Sequence, residues 1–136
     1  MKNVRAINIA AWNENTQLRL YIGDTYGHHS LKKDFGRGSI MVLAKRLDDL
    51  LSELKVRKVD LIKIDVEGAE LEVLLGLKRT LIKFEPIIIM EVKSENKNKV
   101  MNFMNENGYI MIKIAPEEYY KAPVEYYKAV KNRIRT

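Results

Sequence analysis

The chain predicts an α/β fold in which parallel strands are joined by helices. Two observations carry that expectation. From residue 59 onward the pattern runs strand, helix, strand, helix, strand, strand, and two apolar strands joined by a helix imply a right-handed parallel crossover. Within it, Ile62-Lys63-Ile64-Asp65-Val66-Glu67-Gly68-Ala69-Glu70 is an apolar run that ends in two carboxylates, turns at a glycine and enters an amphipathic segment. This is how a buried parallel strand reads when it delivers charged groups to its C-terminal end, where open α/β sheets place their ligands.

The elements follow in order. Residues 4–11 alternate weakly and read as a strand; residues 17–22 alternate better, with Leu18, Leu20 and Ile22 on one face. Asn13-Glu14-Asn15 between them is turn chemistry, so the two are expected to form a hairpin. Residues 23–38 are a polar loop holding both histidines, and 39–44 a short strand. Apolar residues at 47, 50, 51 and 54 have helical spacing. Residues 59–66 form the strand described above. Residues 68–84 read as one helix, with Leu71, Leu74, Leu77 and Leu81 on one side, acids at its start and bases at its end. Pro86 breaks that pattern and opens a strand over 87–92. A second helix is expected over 96–107, stopped by Gly108. Residues 109–114 read as a strand, with 126–130 as a last strand antiparallel to it.

Composition narrows the class. The chain has 136 residues, 46% of them hydrophobic, with no cysteine and a formal net charge of +6. That is enough for one packed domain and excludes a disulfide framework or thiolate metal site. No apolar run is long enough to span a bilayer and no signal peptide opens the chain, so a soluble, cytoplasmic protein with no membrane partner is expected. The basic tail, Lys121, Lys128, Lys131, Arg133 and Arg135 among tyrosines, reads as solvated surface rather than a nucleic-acid face.

Several side chains carry candidate chemistry. On an extended strand Leu61, Lys63 and Asp65 share one face. Asp65 at the strand's end could orient a substrate hydroxyl, accept its proton or hold a divalent cation; equally it could cap the next helix or neutralise Lys63. Glu67 faces the crevice, whereas Glu70 needs only the helix dipole as its reason. Glu91, ending the neighbouring strand, points at the same crevice. A lysine inside an apolar strand must be paired, and Lys63 has Asp65 or Glu91 to pair with. His28 and His29 point opposite ways and lack co-ligands, so no metal site is expected. Gly36-Arg37-Gly38 is not a dinucleotide fingerprint.

Beyond these local readings, the chain resembles the FkbM family of S-adenosylmethionine-dependent methyltransferases along nearly its whole length. Asn8-Ile9-Ala10-Ala11 looks like that family's third strand, Leu47-Asp48-Asp49-Leu50-Leu51 like the segment before its fourth, Asp60 through Gly76 like the fourth-strand signature, and Pro86 to Glu91 like the fifth strand. The resemblance implies a Rossmann-like class I methyltransferase fold, with a mainly parallel sheet ordered 3-2-1-4-5-7-6 and a C-terminal antiparallel hairpin. Residues 1–46 would supply strand three, the hairpin and the loop of a single partial domain. Residues 47–136 would supply strands four to seven. The implied activity is O-methyl transfer from S-adenosylmethionine to a small molecule or glycan. Asp65, Glu67, Glu91 and Lys63 would serve catalysis, and Ala10, Trp12 and Asp65 the cofactor. Trp12 could stack on the adenine ring or plug the core. The family's strand one with its glycine-rich loop, strand two and ribose-binding acid would precede residue 4. The chain is therefore expected to be truncated, to bind cofactor poorly alone, and to need a cover for the edge of strand four. That cover would be residues 4–11 or, preferably, a second copy. The alternative is a non-catalytic remnant that serves as a dimerising or binding module.

Overall fold

The computed structural model describes residues 3–23, 28–114 and 124–133. Among the described residues seven strands and four helices follow one another: β1 (Ala10–Ala11), β2 (Thr16–Tyr21), β3 (Ser39–Lys45), α1 (Leu47–Glu53), β4 (Leu61–Ile64), α2 (Glu70–Leu75), α3 (Lys78–Phe84), β5 (Ile87–Lys93), α4 (Lys97–Glu106), β6 (Tyr109–Lys113) and β7 (Val124–Lys131). A 3-10 turn, Ser94–Asn96, leads into α4. No helix among the described residues is long and apolar enough to cross a membrane. Lys121 and Arg135 of the basic tail lie outside the described residues.

The class is α/β, but the strands are not mainly parallel. Two sheets form, ordered β1-β3-β2 and β4-β5-β7-β6. Among the described residues only β1/β3 and β4/β5 pair in parallel; the pairings of β2 with β3, β5 with β7 and β6 with β7 are antiparallel. The order of the larger sheet coincides with the last four places of the order that the resemblance implied. The expected hairpin is also displaced. β2 pairs with β3 across the loop at 22–38, closed by Ile22 N–H donating to Gly38 O at 3.0 Å. β1 lies on the far side of β3, and so does not cover β4.

The larger sheet buries one face only. Its register aligns Ile62, Ile88, Ala129 and Met111 in one row and Ile64, Met90 and Tyr127 in the next. Over these pack Val73, Leu74, Leu77, Leu81, Val100 and Met104 from α2, α3, α4 and the α2–α3 junction. Large-to-small changes at such positions cost about 2–5 kcal/mol. Tyr109 adds a polar anchor, its hydroxyl donating to Leu81 O (3.3 Å) and Pro86 O (3.1 Å). Burial, with Glu85 nearby, pushes this phenol up to about 12. The opposite face carries Leu61, Ile87 and Ile110, all exposed. β4 is therefore not the strand buried on both faces that its sequence suggested. A mixed sheet can leave one face to solvent.

The expected single helix over 68–84 is two. The break at Gly76-Leu77 has causes remote in sequence. Asp48 N–H donates to Gly76 O at 2.9 Å, and the Asp48 carboxylate accepts from the backbone N–H groups of Arg79 and Thr80, each at 2.9 Å, and from the Thr80 hydroxyl at 2.7 Å. These are the free donors of a helix's first turn, so Asp48 starts α3 from outside it. Gly76 itself leaves no room for a side chain, because a Cβ there would sit 2.2 Å from Trp12 O.

Candidate functional site

The register of β4 and β5 assembles the candidate site. Ile64 pairs with Met90, so the next residues, Asp65 and Glu91, fall side by side past the end of β4. Glu67 follows in the turn. Carboxylate oxygens of Asp65, Glu67 and Glu91 come within 4.8 Å of one another. Three carboxylates at that spacing repel one another unless cations stand among them. Two do: Lys63 Nζ lies 2.8 Å from Asp65, and Lys93 Nζ 2.7 Å from Glu67. His28 adds a longer contact to Glu67, at 3.9 Å.

Lys63 is not the buried lysine its apolar neighbours suggested. Its side chain is 67% exposed, on the solvent face shared with Leu61 and Asp65. Of the two partners open to it, it takes Asp65. That hydrogen bond, helped by the charge of Asp65 and less by that of Glu91, raises the Lys63 ammonium above the ordinary lysine range.

The strand-to-helix turn is held by groups below the site. Gly68 has φ +98, a left-handed conformation that favours glycine. Its N–H donates to Glu70 Oε1 at 3.0 Å, and Asn96 Nδ2 donates to Glu70 Oε2 at 2.5 Å and to Gly68 O at 2.9 Å. Glu70 is 1% exposed, so it is scaffold, with more to do than answer the helix dipole. The Ser30 hydroxyl ties the long loop to the turn by donating to Glu67 O at 3.0 Å. Lys93, Asn96 and Ser30 were not singled out by sequence. Only Lys93 carried a signal: it lies two residues after Glu91 on the same strand, hence on the same face.

Beside the carboxylates opens a cleft of about 400 Å³. Asp65 and Val66 line one side, and Ala10, Leu20, Ser30 and Val42 line others. Ala10 and Asp65 thus meet at one cavity, as the sequence reading grouped them. Trp12 does not line it; its backbone packs on Gly76. His29 reaches the cleft while its Nδ1 accepts from Gly23 N–H at 3.1 Å. Chemically, the site offers a mostly apolar cavity with a carboxylate at its mouth. That carboxylate is one of a trio able to accept a proton, to face a cationic group or to hold a hard divalent ion.

Comparison with known proteins bears on this arrangement. Residues 4–111 match the family model described as the methyltransferase FkbM domain. The 2-O-methyltransferase NoeI of Sinorhizobium fredii is 50% identical over 46 residues, 34% of this chain and 19% of that protein. The AMB antimetabolite synthetase AmbE of Pseudomonas aeruginosa is 44% identical over 48 residues, 35% of this chain and 2% of that protein. The matched stretches are therefore small parts of both curated relatives. No solved structure matches the chain.

Proposed function

Because the chain belongs to the FkbM methyltransferase domain family, we propose that it is the acceptor-side part of an S-adenosylmethionine-dependent O-methyltransferase acting on a hydroxyl of a small molecule or glycan. The observation that carries this reading is the convergence of Asp65, Glu67 and Glu91 beside the cleft that Ala10 also lines. An apolar wall suits a purine, and an anionic mouth suits a sulfonium. S-adenosylmethionine would supply a methyl group on that sulfonium. The chain's own residues do the rest. Asp65 accepts the proton that the acceptor hydroxyl loses as its oxygen gains the methyl. Lys63, bonded to Asp65, holds that carboxylate in place until then. Lys93 fixes Glu67 at the acceptor side. The relative named as a 2-O-methyltransferase supports oxygen as the acceptor atom.

Isothermal titration tests the cofactor half of this reading. Weak saturable binding at the cleft lined by Ala10 and Asp65 is expected. No heat at any cofactor concentration would overturn it.

The alternative of a dimerising module also has an observation behind it. β4 is an edge strand whose Leu61 is 55% exposed. Unpaired edges of this kind template further pairing. We propose that a second copy pairs antiparallel along β4 in a register centred on Ile64, which sets Lys63 opposite the partner's Asp65. Light scattering should then give twice the monomer mass, and Leu61→Lys should return it to one. A wild-type monomer at high micromolar concentration would contradict this.

A further inference from the structure

A second cleft, of about 630 Å³, lies where β4 and β5 begin, at the end of the strands opposite the carboxylates. Its walls are α1, the link from there toward β4, and α3 from its first turn to its last. Four cations line it, Lys55, Arg57, Arg79 and Lys83, against the single acid Asp48.

That acid is already spent. Asp48 is buried, and its oxygens accept from the Arg79 and Thr80 backbones and the Thr80 hydroxyl. Arg79 is held in place by the same carboxylate at 3.6 Å and by a hydrogen bond to Asp49. Lys83 stands 4.9 Å from the centroid of the Phe84 ring, with no carboxylate partner among the described residues. Lys55 and Arg57 have neither an ion-pair nor a side-chain hydrogen-bond partner among the described residues. Like charges gathered around a concave surface raise its positive potential and draw in anions.

The backbone adds an independent sign. α1 ends in a paired-hydrogen-bond stop, with Lys55 N–H donating to Ser52 O at 3.0 Å and Val56 N–H to Leu51 O at 2.9 Å. The residue at the turning point of this motif is left-handed, and glycine fills it without strain. Here it is Lys55, at φ 55. A lysine occupies a position that favours glycine on backbone grounds, at the mouth of a cleft already rich in cations.

We propose that this cleft binds a small polyanion, a molecule bearing two or more phosphate groups. A lone carboxylate would engage one or two of the four cations. Phosphates present several oxygens each, and guanidinium forks match their geometry. The volume lies within the range of about 300–1,000 Å³ usual for small-ligand sites. This assignment does not rest on the methyl-transfer reading, because it uses none of the same residues.

The test is titration of the full chain with tripolyphosphate, by calorimetry, at low and at physiological salt. One saturable site is expected, weaker at the higher salt. Lys55→Gly removes the charge and relieves the left-handed backbone. It should weaken binding about tenfold, the worth of one charge-assisted contact, without lowering the melting temperature. Arg57→Ala should do the same to affinity. Lys128→Ala removes an equal charge from the exposed sheet face and should leave affinity unchanged. ATP in place of tripolyphosphate separates sources: tighter binding adds a base contact, equal binding assigns phosphate alone, and both uphold the site. No saturable binding, or an equal loss in all three variants, would overturn it and assign the anion to the net charge of the chain.

Discussion

The two ends of the β4–β5 pair are built alike and charged oppositely. Each is fastened by one buried carboxylate whose oxygens accept from backbone and side-chain donors. At the C-terminal end Glu70 holds Gly68 N–H and the Asn96 amide. At the N-terminal end Asp48 holds the first turn of α3. What differs is the balance of charge in reach of solvent: Asp65, Glu67 and Glu91 against Lys63 and Lys93 at one end, Lys55, Arg57 and Lys83 at the other. Residue type therefore does not assign a role here. A carboxylate saturated by N–H groups and out of water is scaffold, and one that keeps free lone pairs at a cleft is available for chemistry.

The scaffold half of that comparison should give the largest effects. Asp48→Ala leaves two helix N–H groups and a hydroxyl without their acceptor, and is expected to cost about 3 kcal/mol or more in urea denaturation. Glu70→Ala strands fewer donors and should cost about 2 kcal/mol. Gly68→Ala, which forces a side chain into the left-handed region, is expected to cost about 1–2 kcal/mol. A neutral result at Asp48 or Glu70 would break the equivalence of the two ends.

A smaller effect is expected at Glu125. Glu125 pairs in register with Val92, near the carboxylate end, yet it is fully engaged. It accepts from the Tyr127 hydroxyl, and Lys97 and Lys113 stand at 2.9 and 3.1 Å. These partners hold its carboxyl at about 2, below the ordinary 4.5. A folded value below the unfolded one gives stability that is complete above about 4.5 and is lost as pH falls toward 2. Melting temperature should therefore decline across that window in the wild type, and Glu125→Gln should flatten the decline. An identical decline in both would place the acid sensitivity at other carboxylates.

How much of this was legible in the sequence follows the range of the interactions. β4, β5, the glycine turn and the three converging acids were readable, because alternation and the parallel crossover are local patterns that place strand ends together. The Lys63–Asp65 pair was readable as one of two options, since residues two apart share a strand face. The division of α2 from α3 was not. It depends on Trp12 and on Asp48, which lie far away in sequence, while the leucine spacing runs unbroken through the junction. Nor was the separation into two sheets, since the pairing of β1 with β3 instead of β4 is a non-local choice. Asn96 gave no sign of its role, because an amide before a helix looks the same whether or not it reaches a buried glutamate. The exposed side of β4 escaped because an apolar strand reads alike whether one face is covered or two.

We propose that the carboxylate end performs methyl transfer, with Asp65 as the group that takes the acceptor's proton. Asp65→Asn tests it most directly, in the enzyme that turns over, with cofactor affinity measured alongside S-adenosylhomocysteine release. Turnover should fall by on the order of 10²–10⁴ while affinity for the cofactor changes little. Undiminished turnover, or a loss matched by an equal loss of cofactor affinity, would contradict that role and leave Asp65 a structural partner of Lys63.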